Sequence, residues 1–247
     1  SLTNLTPPSG DYVDCCYGDS EGTVWSGNIN QARAGLGLNR YTRIPDFFTH
    51  YLTRNRYDST SNIIFPVAKD RNGDLWIGTR YDDCLHHISR DGKDSPFCLP
   101  PAEAGGRIPV TRCMACDRDG LWFGTTDGYI YFYGFETRQA VPVYPSPGPG
   151  YGRIAGIHNI VRDENSLVIN GSEGIYRYMI PTGEMELHYR HEPPGTGFTI
   201  VKDSQHGFWL GTWGSRVIHL DSSLAKTGEF IFDNSGNIVE HICPGDS

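Results

Sequence analysis

The sequence predicts an all-β protein made of four-stranded antiparallel sheets that pack side by side as the blades of a β-propeller. Three observations support this prediction. A phrase made of an acidic residue, a Gly turn and a Trp-containing strand recurs along the chain. Its copies are separated by 40 to 51 residues, and such a period is typical of a repeat architecture. Each period holds four short strand patterns and leaves no room for a long helix.

Each copy of the phrase has an aspartate anchor, and four copies have a tryptophan. The second copy reads Asp70-Arg-Asn-Gly-Asp-Leu-Trp76-Ile-Gly78-Thr79. We expect the anchor to cap its own turn and the tryptophan to fill the wedge between sheets, so neither should do chemistry. Calcium at the anchors is the alternative, but the phrase lacks a dense run of oxygen ligands. The predicted structural residues are Trp25, Trp76, Trp122, Trp209, Asp19, Asp70, Asp117, Asp163 and Asp203.

The repeats divide the chain into five predicted blades. We expect them at residues 12–52, 62–99, 108–144, 157–190 and 197–233. Residues 238–247 contain a further anchor, Asp246, and either close a five-bladed ring or begin a sixth blade. The whole chain, 1–247, is therefore expected to be one propeller domain or part of one.

Composition excludes some partners and suggests a compartment. The net charge of −8 argues against nonspecific nucleic-acid binding, and no apolar run is long enough to insert into a membrane. The seven cysteines form no obvious full disulfide framework. Cys84 and Cys98, however, flank the Asp91-Gly92 turn at nearly equal distances and could meet across adjacent strands. An oxidised pair there would favour a periplasmic or extracellular location.

In its recurring phrase of an aspartate, a Gly turn and a Trp-containing strand, the chain resembles the two-component regulator propeller repeats. The Gly-rich turn and Arg-Tyr strand of that repeat are matched by Gly37-Leu-Asn-Arg-Tyr41 and Gly174-Ile-Tyr-Arg-Tyr178. The resemblance covers five repeats, over about residues 12–233. It implies a noncatalytic sensor propeller of a two-component-type receptor, outside the cytoplasm, that binds an oligosaccharide. Further propeller blades or a second copy of the chain are the other partners that it implies.

A ligand is expected at the irregular end of the blades, where the turns between second and third strands meet the blade-to-blade connections. Arginine outnumbers lysine 17 to 4, and many arginines fall there beside aromatic residues, which would suit an anionic oligosaccharide. The alternative is that these arginines decorate loops and pair with nearby acidic residues. The predicted ligand-binding residues are Tyr57, Arg80, Tyr81, Asp82, Asp127, Arg153, His158, Trp213 and Arg216.

Two other functions remain open, a carbohydrate-active lyase or hydrolase and a protein-interaction scaffold. For an enzyme, His158 is the best-placed histidine, near Asp127 and Glu173, whereas His86 and His87 should face opposite sides of a strand. Virginiamycin-lyase-like propellers also use a Trp-containing repeat, but their phrase differs from the Gly-Thr form found here. We therefore predict no catalytic residue, no metal site and no cofactor.

Overall fold

The computed structural model describes residues 12–20, 23–29, 35–41, 49–51, 64–79, 84–102, 109–143, 146–147, 154–194, 196–232, 237–239 and 241–242. Every regular element in these ranges is a β-strand, which confirms the all-β prediction. Within this part of the chain, no helix has the length and apolar character needed to cross a lipid bilayer.

The strands form five sheets, here called blades 1 to 5, and in each of them chain neighbours pair antiparallel. Blade 1 contains β1 (Tyr12–Gly18), β2 (Val24–Ile29), β3 (Gly35–Tyr41) and β4 (Thr49–Tyr51). Blade 2 contains β5 (Ile64–Lys69), β6 (Leu75–Thr79), β7 (Cys84–Ile88) and β8 (Asp94–Cys98). Blade 3 contains β9 (Thr111–Cys116), β10 (Gly120–Thr125), β11 (Ile130–Gly134) and β12 (Gln139–Val143).

Blade 4 has one short extra strand. Its four antiparallel strands are β14 (Ile157–Asp163), β15 (Ser166–Gly171), β16 (Gly174–Met179) and β17 (Glu184–Arg190). The extra strand, β13 (Ser146–Pro147), pairs parallel with β17. Blade 5 contains β18 (Gly197–Lys202), β19 (Phe208–Thr212), β20 (Arg216–Leu220) and β21 (Lys226–Ile231). This succession of four-stranded blades confirms the predicted β-propeller class.

The chain divides into two compact units. One unit, Ser1–Leu99, holds blades 1 and 2, and the other, Pro100–Ser247, holds blades 3 to 5. Within the second unit, apolar clusters join blade 3 to blade 4 and blade 4 to blade 5. The second strands β6, β10 and β15 are buried along their whole length, whereas the fourth strands β8 and β21 are mostly exposed. Blades 2, 3 and 4 are therefore covered on both faces at the second strand, and blades 2 and 5 are open to solvent at the fourth.

The repeat tryptophans differ in burial. Trp25, Trp76 and Trp122 are 2–6% exposed, and Trp25 packs with Ile64 of the next blade. Trp209 is only partly buried, which corrects the expectation that it is buried as Trp122 is. The Trp209 indole packs on His219 and Phe230 of its own blade, whereas the Trp122 ring also meets Tyr178 of the neighbouring blade.

Four anchor aspartates cap their turns, and three anchors pair with a cation of the following blade. The capping residues are Asp19, Asp70, Asp117 and Asp203. In each capped turn, one carboxylate oxygen accepts backbone N–H groups, as Asp203 does from Gln205 and Gly207. In three blades, an oxygen of the anchor carboxylate also accepts from a cation that directly precedes the anchor of the next blade. These inter-blade pairs are Lys69 with Asp19 at 3.3 Å, Arg162 with Asp117 at 2.6 Å, and Lys202 with Asp163 at 2.6 Å.

The cysteine pair predicted in blade 2 is a disulfide. Cys84 and Cys98 are directly opposite each other on β7 and β8, with their Cα atoms 4.0 Å apart. Their juxtaposition across adjacent strands is thus confirmed. Cys113, by contrast, is buried as a free thiol, and burial raises its pKa to about 12.

Residues 237–239 lie against the end of the second strand of blade 5. Ile238 forms an isolated antiparallel bridge with Trp213, and the Val239 N–H donates to the Thr212 carbonyl at 3.1 Å. A Cβ atom on Gly211 would lie 2.6 Å from the Val239 carbonyl oxygen. This segment therefore occupies the side of Gly211 that Ile64 occupies at Gly27 of blade 1. Residues 243–247, including Asp246, lie outside the described residues.

Candidate functional site

In blades 3 to 5, the turns after the second strands meet the connections that precede the first strands. The backbone N–H of the turn residue donates to the connection in each blade. The three bonds are Thr126 to Val110 at 3.0 Å, Ser172 to Gly156 at 3.0 Å, and Trp213 to Thr196 at 2.9 Å. We call this side of blades 3 to 5 the mouth edge. It carries the irregular loops that the sequence points to as a binding site.

A β-bulge interrupts the first strand of each of these blades at the mouth edge. The residues that the register with the second strand skips are Arg112 in β9, His158 in β14 and Phe198 in β18. A bulge leaves its extra residue out of the ladder and re-aims its side chain, and bulges are common beside active sites. Because β14 packs against both β9 and β18, the three bulges lie on neighbouring strands. The fold therefore gathers a cation, a histidine and an aromatic ring on one edge.

Aromatic rings continue this row toward solvent. The rings of His158 and Phe198 have centroids 6.2 Å apart, and those of Phe198 and Trp213 are 5.3 Å apart in an edge-to-face arrangement. Trp213 is 45% exposed, which is unusual for so large an apolar side chain. The exposed indole at the end of the row is a surface on which a planar or ring-shaped ligand can stack.

His158 is neutral at physiological pH. Burial lowers its pKa, and the positive charge of Arg112 lowers that pKa further. Its Nε2 atom lies 3.3 Å from the Ser172 hydroxyl, while its buried Nδ1 atom has no hydrogen-bond partner among the described residues. A Ser–His pair works as a nucleophile and base when a third group orients the histidine. The Ser172 hydroxyl and the His158 imidazole are both groups that can exchange hydrogen bonds with a ligand.

A second histidine, His191, lies behind this row. It is 2% exposed, and its Nε2 atom lies 2.9 Å from the side-chain oxygen of the fully buried Asn170. Burial lowers the pKa of His191 to about 4, opposed by a backbone hydrogen bond with Gly171 and assisted by nearby His158. His191 therefore supports the mouth edge as a buried neutral side chain.

We expect the stability of the protein to fall by about 2 kcal/mol between pH 7 and pH 5 because of His191 alone. Below about pH 6.5 the unfolded chain takes up a proton at this histidine, whereas the folded chain does so only near pH 4. Stability is thus lost as the pH falls through this window. Urea unfolding of the wild type and of His191→Gln at both pH values measures the effect. An equal pH dependence in the two proteins would contradict it.

The predicted ligand residues have different fates. His158 and Trp213 come together at the mouth edge, and Asp127 lies exposed on the β10–β11 turn at the same edge. Arg216 begins β20 directly after the turn that holds Trp213, and its guanidinium pairs with Glu229 of β21 at 3.3 Å, on the outer strand of blade 5. That ion pair is the acidic partner that the alternative interpretation of the arginines anticipated. Tyr57, Arg80, Tyr81, Asp82 and Arg153 lie outside the described residues.

Sequence reasoning missed Arg112, Phe198, Ser172 and His191. A β-bulge has no mark of its own in the sequence, so Arg112 and Phe198 read as ordinary strand residues. The only available signal was their phase, because both occupy the second position of a first strand, as His158 does.

One group of side chains has a composition that could hold a metal ion. Ligand atoms of Asp70, Asp74 and His87 lie within 4.8 Å of one another. Hydrogen bonds account for their placement, since Asp74 accepts from the Arg90 N–H and lies 3.0 Å from His87 Nε2. The other carboxylate, Asp70, accepts from the Trp76 indole and from two turn N–H groups. These contacts are those of a turn that is capped by protein groups.

The blades, their bulged first strands and their inter-blade tryptophans define a β-propeller protein. A family model described as two component regulator propeller matches residues 58–81 and 106–127, so the chain carries repeats of that family. The resemblance found in the sequence is thereby confirmed. No curated protein matches the chain in sequence.

Solved structures similar to the chain include a lyase and the extracellular domain of a putative one component system. A catalytically inactive virginiamycin B lyase from Staphylococcus aureus with quinupristin is 20% identical, with a TM-score of 0.74 over 96% of this chain and 75% of that one. The extracellular domain of a putative one component system from B. thetaiotaomicron is 21% identical, with a TM-score of 0.63 over 95% of this chain. This chain spans only 28% of that domain's length. At such identities the likeness shows the fold alone.

Proposed function

We propose that the chain is a noncatalytic ligand-sensing propeller that binds an anionic oligosaccharide at the mouth edge, as part of a two-component-type receptor. The observation that carries the proposal is the row of three neighbouring first-strand bulges at Arg112, His158 and Phe198, next to the exposed Trp213. The family repeats support a sensor role, and the likeness to an extracellular sensor domain agrees with it.

The chemistry of the row matches a sugar that carries a carboxylate or sulfate. The Arg112 guanidinium offers a forked set of donors to such a group. The faces of Phe198 and Trp213 offer apolar area to a sugar ring, and the Ser172 hydroxyl adds a group that can both donate and accept. Because burial, assisted by the positive charge of Arg112, lowers the pKa of His158, the histidine adds no second charge and can exchange hydrogen bonds with sugar hydroxyls.

A location outside the cytoplasm follows from the same proposal. The Cys84–Cys98 disulfide in blade 2 supports an oxidising compartment, because glutathione and thioredoxin keep cytosolic thiols reduced. The sensor domain similar to this chain is extracellular by its description. We therefore assign the protein to the periplasm or the cell exterior.

Calorimetric titration with uronate-containing and neutral oligosaccharides tests the function. We expect the uronate-containing series to bind the wild type, with affinity reduced about 10- to 100-fold in Arg112→Ala, since a hydrogen-bonded charge contributes roughly 1.5–3 kcal/mol. Trp213→Ala should weaken binding of any oligosaccharide that stacks there, whatever its charge.

Arg118→Ala is the matched control. Arg118 is an exposed arginine on the anchor turn of the same blade, so the substitution removes the same charge at the opposite edge. It should leave the affinity unchanged. Equal binding of acidic oligosaccharides by the wild type and Arg112→Ala, or a preference for neutral ones, would refute the anionic ligand.

A further inference from the structure

A polar cavity of about 370 Å³ lies on the edge of blades 1 and 2 that carries the anchor turns. Its walls come from the anchors Asp19 and Asp70, from the turn that follows Asp70, and from the β7–β8 turn at Ser89 and Arg90. All of these residues belong to the Ser1–Leu99 unit. In each blade this edge is the opposite one from the loops considered above, and its volume is that of a small-molecule site.

The cavity carries an excess of positive charge. Four cationic side chains line it, namely Arg40, Lys69, Arg71 and Arg90, against two carboxylates. Both carboxylates are already used by the protein. Asp19 binds the Lys69 ammonium and the Thr23 N–H, and Asp70 accepts from two turn N–H groups and the Trp76 indole. The arginines therefore set the charge that a ligand would meet.

Arg40 provides this cavity with a hydrogen-bond donor that a ligand can use. Its guanidinium carbon lies 5.4 Å from the centre of the buried Trp25 ring, which holds the side chain by a cation–π contact. Its Nε atom is buried and has no hydrogen-bond partner among the described residues. A buried donor without a partner costs free energy, so an acceptor that entered the cavity would recover it.

We propose that this cavity is a second ligand site, which takes a sulfate or phosphate group carried on a small molecule of about the size of one sugar ring. Arg40 and Arg90 are the residues that would bind the tetrahedral oxyanion, because arginine donates in a fork that matches its oxygens. The site is independent of the mouth edge, since it shares no residue with it.

The test is calorimetric titration of the full chain with four probes, namely sodium sulfate, sodium phosphate, glucose 6-sulfate and glucose 6-phosphate, at constant ionic strength. We expect saturable binding of at least one oxyanion class, tighter for the sugar ester than for the inorganic ion. The pair of esters distinguishes sulfate from phosphate. Binding should weaken about tenfold or more in Arg90→Ala and in Arg40→Gln.

The two variants keep the test decisive. Arg90 is exposed, so its replacement leaves the fold intact even if the packing of Arg40 on Trp25 makes Arg40→Gln unstable. Arg118→Ala again serves as control, because Arg118 follows its anchor in blade 3 as Arg71 does in blade 2 but lies outside the cavity. Absence of saturable binding by all four probes, or binding that Arg90→Ala leaves unchanged, would overturn the proposal. Oligosaccharide binding at the mouth edge would be unaffected by that result.

Discussion

Replacement of Trp122 by alanine is expected to lower the free energy of unfolding by about 3–5 kcal/mol. Trp122 is 5% exposed and belongs to the apolar cluster that joins blade 3 to blade 4. Its ring packs on Phe132 of its own blade, with centroids 4.6 Å apart, and meets the edge of Tyr178 of blade 4 at 6.3 Å. Its indole N–H donates to Asp117, so the substitution leaves a cavity and removes one of the hydrogen bonds of that carboxylate. Urea unfolding followed by circular dichroism measures the loss.

Trp209→Ala is the matched control for this prediction. Trp209 occupies the same position of the repeat in blade 5, but it is partly exposed and packs on its own blade. Its replacement should cost clearly less, roughly 2 kcal/mol or below. Equal losses for the two variants would mean that burial between blades is not what makes the repeat tryptophan important.

Replacement of Gly174 by alanine is expected to destabilise the protein by about 3 kcal/mol. Gly174 begins β16 opposite Arg190 of β17, and a Cβ atom there would overlap the Tyr189 backbone carbonyl oxygen. It would also lie 2.8 Å from a Leu187 methyl group. A backbone carbonyl within a paired strand cannot rotate away without breaking the β16–β17 ladder. Thermal and urea unfolding of the variant would show the effect.

Gly18→Ala provides the comparison, because a Cβ atom on Gly18 would meet no described residue within 4 Å. We expect a change of about 0.5 kcal/mol or less, as for most exposed substitutions. If Gly174→Ala proved as mild as Gly18→Ala, the close approach of β16 and β17 at this glycine would be wrong.

The fold could be predicted from the sequence because its signal is repeated. A Trp-x-Gly strand after an Asp-x-x-Gly turn is weak once, but a nearly constant spacing between copies requires the same local structure each time. Burial could be predicted less well. Trp122 and Trp209 have the same local sequence environment, yet what covers each ring depends on the neighbouring sheet, which the repeat itself does not encode.

The sequence predicted only those residues of the candidate site whose position follows from where a strand begins or ends. Repeat phase assigns Trp213 and His158 to one edge, and the structure brings them together through Phe198. Repeat phase could not reveal that Arg216 pairs with Glu229. That contact joins residues 13 apart across a hairpin, and packing sets the directions of their side chains. Nor could it reveal Arg112, since a bulge is a property of two strands in register and not of either strand alone.

In blades 2, 4 and 5, one blade carries both kinds of residue that form the inter-blade ion pairs. In blades 2, 4 and 5 the cation that docks on the preceding blade stands directly before the aspartate that can receive a cation from the following one, as in Lys69-Asp70, Arg162-Asp163 and Lys202-Asp203. A duplicated or transplanted blade of this kind therefore contains both the cation and the aspartate of the inter-blade ion pair. An array can gain or lose one such repeat and keep this ion pair between neighbours. Blades 1 and 3 are the exceptions, because Gly18 and Cys116 precede their anchors. A gene for this protein could be recombined at most blade boundaries and still encode matching neighbours.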